Sequence, residues 1–90
     1  MTITTKMLEN IIESINKSLG YEIEPYSKRD GKFKANPNTY YIGKAYGGFR
    51  IEQMVNEGGG CRDISDRGTK KECYTYLRGM RRAIRELQVD

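Results

Sequence analysis

The chain contains no histidine. That absence removes the side chain most often used as a general base near neutral pH, and the usual nitrogen ligand of a metal site. Only two cysteines occur, Cys61 and Cys73, and they stand too far apart for a paired metal-ligand motif. Neither has a base beside it in sequence, and no serine sits in an elbow motif. Glu22 and Glu24 alternate next to Pro25 and read as solvated residues rather than a catalytic pair. The expectation is a non-enzymatic protein with no cofactor and no metal. No apolar run approaches the ~20 residues of a membrane-spanning helix, and the N-terminus lacks the pattern of a signal peptide. These absences point to a cytoplasmic chain with no membrane partner; that setting argues against a Cys61–Cys73 disulfide, and the residues leave the pairing open.

Ninety residues make one domain, whose thin core buries only ~60–65% of the unfolded surface. The net charge of +4 is unevenly spread. Residues 1–26 carry −2, residues 27–50 carry +5, residues 51–69 carry −2 and residues 70–90 carry +3. If the two basic segments meet, the fold has one positive face.

Met7, Leu8, Ile11, Ile12, Ile15 and Leu19 recur at helical spacing and predict a helix over about 5–19, started by a threonine cap and ended at Gly20. Tyr21 to Tyr26 alternates apolar with acidic residues up to Pro25 and reads as a short edge strand. Ser27 to Asn38 is polar and turn-rich, with Asp30-Gly31 and Asn36-Pro37-Asn38, and reads as a flexible basic loop over about 27–38. It carries Lys28, Arg29, Lys32 and Lys34, with Phe33 as either an anchor or an exposed contact.

Thr39–Tyr46 and Phe49–Val55 read as two strands joined by Gly47-Gly48. The corresponding register sets Tyr46 opposite Phe49, Lys44 opposite Ile51, Ile42 opposite Gln53 and Tyr40 opposite Val55, and these residues form the core face; Lys44 and Gln53 fit it badly, which places them at its rim or calls for a bulge that shifts the register. Tyr41, Gly43, Ala45, Arg50, Glu52 and Met54 fall on the open face. There Tyr41 and Met54 are expected as an exposed pair, a surface for a protein partner or a homodimer. The triple glycine 58–60 reads as a turn rather than a phosphate loop, because it leads into a strand, Cys61–Ile64, and not into a helix. Thr69-Lys70-Lys71-Glu72 has the spacing of a capping box and starts a last helix. The predicted fold class is α+β, in the order αβββα: a three-stranded antiparallel meander with two helices packed on one face.

The last helix carries two patterns. Cys73, Tyr76, Leu77, Met80, Ile84 and Leu87 form an apolar stripe. Away from it stand Lys70, Lys71, Tyr74, Arg78, Arg81, Arg82 and Arg85. Arginine suits bidentate contact with phosphate or carboxylate, and Tyr74 can stack on a base or on Arg78. The free amides at the helix start favour an anion beside Lys70 and Lys71. DNA or RNA fits this row; so does an acidic protein surface. The remaining reading is a solvated face partly neutralised by Glu86.

The element order, with Gly68-Thr69-Lys70-Lys71-Glu72 opening the second helix, resembles the double-stranded-RNA-binding domain. In that family lysines at the place of Lys70 and Lys71 touch phosphates. The longer loop between the family's first two strands is replaced here by Gly47-Gly48, and its alanine-rich second helix is absent, so the likeness is one of topology. The C-terminal half is similar to small uncharacterised proteins of bacteriophages and prophages. That likeness rests on Tyr46-Gly47-Gly48-Phe49-Arg50, Asn56-Glu57-Gly58-Gly59-Gly60, Arg62-Asp63-Ile64-Ser65, Thr69-Lys70-Lys71-Glu72 and Leu77-Arg78-Gly79-Met80. It implies a mobile-element origin and a place in the host cytoplasm. Two functions follow as expectations: a nucleic-acid-binding phage protein working through its basic helix, or a phage-encoded inhibitor or adaptor of a host protein such as a defence nuclease.

Overall fold

A computed structural model describes residues 2–45 and 47–88. The elements in chain order are α1 (Thr5–Leu19), β1 (Tyr26–Arg29), β2 (Lys32–Ala35), β3 (Tyr40–Ala45), β4 (Gly48–Met54), β5 (Cys61–Asp63) and α2 (Lys70–Leu87). The class is α+β, with a three-stranded antiparallel sheet ordered β3-β4-β5 and a separate two-stranded sheet, β1-β2. The molecule is flat, 43 × 41 × 20 Å, as expected of one helix layer on one sheet layer.

Local capping sets the helix ends. The Thr4 hydroxyl accepts from the Met7 amide at 3.2 Å, and Gly20 closes α1 in the left-handed region at φ 78°. At α2 the Thr69 hydroxyl accepts from the Glu72 amide, and the Glu72 carboxylate accepts from the Thr69 amide, each at 3.1 Å. Leu8, Ile11, Ile12 and Ile15 of α1, Ile51 of β4, and Cys73 and Leu77 of α2 form the core. Met80 and Ile84 are half-buried against it. Tyr76, 44% exposed, and Leu87, 87% exposed, lie outside the buried part of the expected stripe. The Tyr76 hydroxyl instead donates to the Ile64 carbonyl at 3.1 Å. The helices run side by side in one direction. Ile3, just before α1, lines a cleft with Thr69 and Lys70, and at the far end the Gln88 side-chain amide donates to the Ser18 carbonyl at 2.7 Å.

The β3–β4 register pairs Tyr40 with Gln53, Ile42 with Ile51 and Lys44 with Phe49. It differs from the predicted register by two residues, so every side chain keeps its face. Tyr46, expected opposite Phe49, lies outside the described residues. The cause of the shift is Gly48. It belongs to the strand, because Phe49 and Gly68 exchange both backbone hydrogen bonds at 2.8 Å, which brings the Gly68 carbonyl to where a Cβ on residue 48 would stand. With φ at 132°, that position requires glycine twice over. β4 therefore begins one residue earlier than predicted, with Gly48 paired to Ala45. Gln53, polar on the core face, is buried and satisfied: it donates to the Asn38 carbonyl and accepts from Arg62.

Two expectations are corrected. The predicted edge strand at 21–26 is irregular up to Pro25; Asn36 and Thr39 hold the Glu24 and Glu22 carbonyls. The predicted loop at 27–38 is largely the hairpin β1–β2, which pairs Tyr26 with Ala35, Lys28 with Phe33 and Arg29 with Lys32. Asp30 and Gly31 take φ of 53° and 78° in its turn, as an Asp-Gly hairpin loop does.

The exposed Tyr41–Met54 pair does not exist either. Tyr41 stands opposite Glu52, and Met54 is 2% exposed. Met54 and Ala35 are the buried apolar residues that do not belong to the helix-side core. The hairpin base is tied down there, with Ala35 donating to the Glu57 carbonyl and Asn38 to the Met54 carbonyl. This folded segment closes the end of the outer face, and the partner or homodimer surface proposed on that pair loses its basis.

Asn16 and Leu77 test this packing. Leu77→Ala is expected to cost about 2–4 kcal/mol, and Ile84→Ala less, since Ile84 is only half-buried. Asn16→Ala, which strands the amide and carbonyl of Tyr40, is expected to cost about 2–3 kcal/mol. Urea unfolding of the three variants beside the parent measures the order.

Candidate nucleic-acid interface

The basic residues of α2 fall into two groups. Tyr74, Arg78, Arg81, Arg82 and Arg85 line one open groove together with Thr75 and Gly79. The Arg78 guanidinium lies 5.8 Å from the centroid of the Tyr74 ring, a cation–π distance that orders the side chain before any ligand arrives. Tyr74 itself is half-buried against the core, so it anchors Arg78 more than it offers a free ring. Arg82 pairs with Glu86 at 3.2 Å, both side chains well exposed. Such a pair is weak. Among the described residues, no carboxylate pairs with Arg78, Arg81 or Arg85.

The second group stands at the start of α2. The Lys70 ammonium sits 5.5 Å from the centroid of the Phe49 ring. Lys71 is exposed. The expected anion site here is partly answered from within. The Glu72 carboxylate accepts from the Thr69 amide, and the backbone and side chain of Thr69 hold it below its ordinary pKa. A lysine in a first turn opposes the helix dipole. Contact with Phe49 gives Lys70 a structural reason to be there.

Lys28, Arg29, Lys32 and Lys34 lie on the separate β1–β2 sheet, not on α2. Arg29 donates to the Ala35 carbonyl at 3.0 Å, and Lys34 lies 3.8 Å from Glu57. Lys28, Arg29 and Lys32 are exposed. The two basic segments thus form two cationic elements rather than one continuous row.

A polar cluster on the outer sheet face was not anticipated. The Glu52 carboxylate lies across Gly43, in the space a Cβ would fill. It accepts from the Tyr41 hydroxyl at 3.3 Å and the Cys61 thiol at 3.4 Å. Arg50 reaches Glu52 at 3.7 Å and Asp63 at 3.1 Å. Burial, the Cys61 contact and the Glu52 charge push the Tyr41 hydroxyl well above its ordinary pKa. These groups engage one another, and the cluster braces the three strands. Its sequence signal was Tyr41-x-Gly43 across from Arg50-x-Glu52, legible only in the correct register. Both cysteines are free, Cys61 exposed and Cys73 buried.

No family model, curated protein or solved structure matches this chain. Among the described residues no group of three or more His, Cys, Asp or Glu could hold a metal ion, and no helix is long and apolar enough to cross a membrane.

The raised Tyr41 pKa fixes a sign. The folded state keeps a proton that the unfolded chain releases near its ordinary value of 10.0. That contribution to stability is complete below about pH 10 and is lost as pH rises towards the folded-state pKa. Tyr41→Phe is therefore expected to lose less stability than the parent between about pH 8 and about pH 11, as read by urea unfolding at both values.

Proposed function

We propose that this chain binds nucleic acid without catalysis, through the arginine face of α2. The observation that carries the reading is the groove itself. Arg78, Arg81, Arg82 and Arg85 converge on one solvent-open strip, and a single exposed carboxylate, Glu86, engages one of them among the described residues. From Arg78 to Arg85 the helix rises about 10 Å, close to three phosphate steps along one strand of DNA. Guanidinium groups at that spacing can straddle successive phosphates, and Tyr74 fixes the first of them. Because these residues do not contribute to the core, the cationic face can vary in ligand without cost to the fold. The mobile-element origin that the C-terminal half resembles is compatible with this role.

Phosphate contact predicts binding in the micromolar range at low salt for DNA or RNA of any sequence. The triple variant Arg78→Ala, Arg81→Ala, Arg85→Ala is expected to weaken a gel shift while keeping the parent melting temperature. The slope of log affinity against log salt should become shallower by about one for each phosphate no longer engaged. Unchanged retention overturns the reading. Capture of an acidic host protein with shallow salt dependence, and no nucleic-acid shift, favours the inhibitor or adaptor role instead.

A further inference from the structure

The β1–β2 hairpin is a cationic arm with an aromatic ring held open on it. Near its turn both faces are wet. Lys28 and Phe33 stand opposite each other on one face, and Arg29 and Lys32 on the other; all four are exposed. The ribbon carries Lys28, Arg29, Lys32 and Lys34 against one carboxylate, Asp30. Phe33 is 76% exposed, the most exposed aromatic of the described residues. The ring contributes nothing to the buried core of the described residues, and its cross-strand neighbour is a lysine. The base of the arm is well anchored. Asn36 donates to both the Glu24 carbonyl and the Ser27 hydroxyl, at 2.7 and 2.8 Å, and Arg29 donates across to the Ala35 carbonyl. A firmly rooted ribbon thus presents a bare phenyl ring among positive charges.

We propose that this arm binds single-stranded nucleic acid, with Lys28, Arg29 and Lys32 on the sugar-phosphate backbone and Phe33 stacked on an unpaired base. The charge selects an anionic partner. The ring selects among anionic partners. A phenyl group has no donor or acceptor with which to read a groove edge, but its face matches the face of a base, which is covered on both sides inside a duplex. A lipid surface fits poorly: Lys32 and Lys34 flank the ring in sequence and Lys28 faces it, so burying it in hydrocarbon would drag ammonium groups out of water. The inference rests on the nucleic-acid reading for its class of ligand, and on a different element for its evidence.

Fluorescence anisotropy of the full chain, with an oligothymidylate of about 15 nucleotides and a blunt duplex of equal length as probes, tests it. Phe33→Ala is expected to weaken single-strand binding by roughly 5- to 100-fold, to leave duplex binding unchanged and to leave the salt slope unchanged, since no cation is removed. Phe33→Tyr should bind like the parent. Replacing Lys28 and Lys32 by Gln, which keeps the Arg29–Ala35 bond, should lower the single-strand salt slope by about 1.4. Parent-like binding by Phe33→Ala overturns the proposal. So does an equal loss on the duplex, a parent that binds neither probe, or a Phe33-dependent association with anionic vesicles or an acidic protein in place of the oligonucleotide. If the α2 arginine variant loses binding while Phe33→Ala does not, the arm fails and the helix stands. The reverse pattern removes the helix reading and keeps the arm.

Discussion

The buried side chain of Asn16 ties the two layers together. Its amide donates to the Tyr40 carbonyl at 3.0 Å, and its oxygen accepts from the Tyr40 amide at 2.9 Å. An asparagine thereby takes the place of a neighbouring strand at the start of β3 and satisfies two backbone groups that would otherwise be stranded at a helix–sheet boundary. The bond is directional, so it sets where α1 lies along the sheet as well as how closely it packs. The Tyr21 amide then returns to the Asn16 carbonyl at 2.8 Å, and the chain leaves α1 along the route that places Glu22 and Glu24 beside Thr39 and Asn36. The hairpin root is built on those contacts.

A second close contact governs the opposite end. The Gly48–Gly68 approach joins the start of β4 to the residue just before the cap of α2. Apolar burial gives a helix on a sheet considerable freedom to slide, because the hydrophobic effect has no direction. The two backbone-level fastenings, Asn16 at one end and Gly48–Gly68 at the other, remove that freedom. The apolar face of α2 is then committed to Ile51 and α1, and its basic flank is left to solvent. The exposure of the arginines follows from the placement of Cys73 and Leu77 in the core.

The two cationic elements on which the proposed functions rest differ in kind. α2 offers arginines on one helix face, Arg78 among them held against Tyr74, and guanidinium groups suit phosphates. The hairpin offers lysines and an arginine around a bare ring, suited to a flexible strand whose bases are open. The flat body separates them into different secondary-structure systems. The outer sheet face, where an exposed apolar pair was expected, is instead occupied by a polar network centred on Glu52 that links the three strands.

Helix ends were legible in the residues because capping is local. Thr4, Gly20 and the Thr69–Glu72 box act within a few residues, and the apolar periodicity of α1 needs no partner to be seen. The alternation of faces in β3 and β4 was legible too, since the strand period is two. The pairing of those strands, the burial of Met54 and the hairpin at 26–35 were not. The first depends on a glycine 20 positions away, Gly68, approaching Gly48; the second on Ala35 and the chain that follows it. The hairpin has almost no apolar alternation; Asp30-Gly31 marks its turn, and pairing with anchorage by Asn36 makes its strands. What the sequence by itself determined was every feature whose energy is settled within a turn of helix or a pleat of strand, including the cationic pattern of α2. Tertiary structure alone decided register, the loss of the Tyr41–Met54 surface and the emergence of a cationic arm, because each depends on groups that meet only after the chain has folded back on itself.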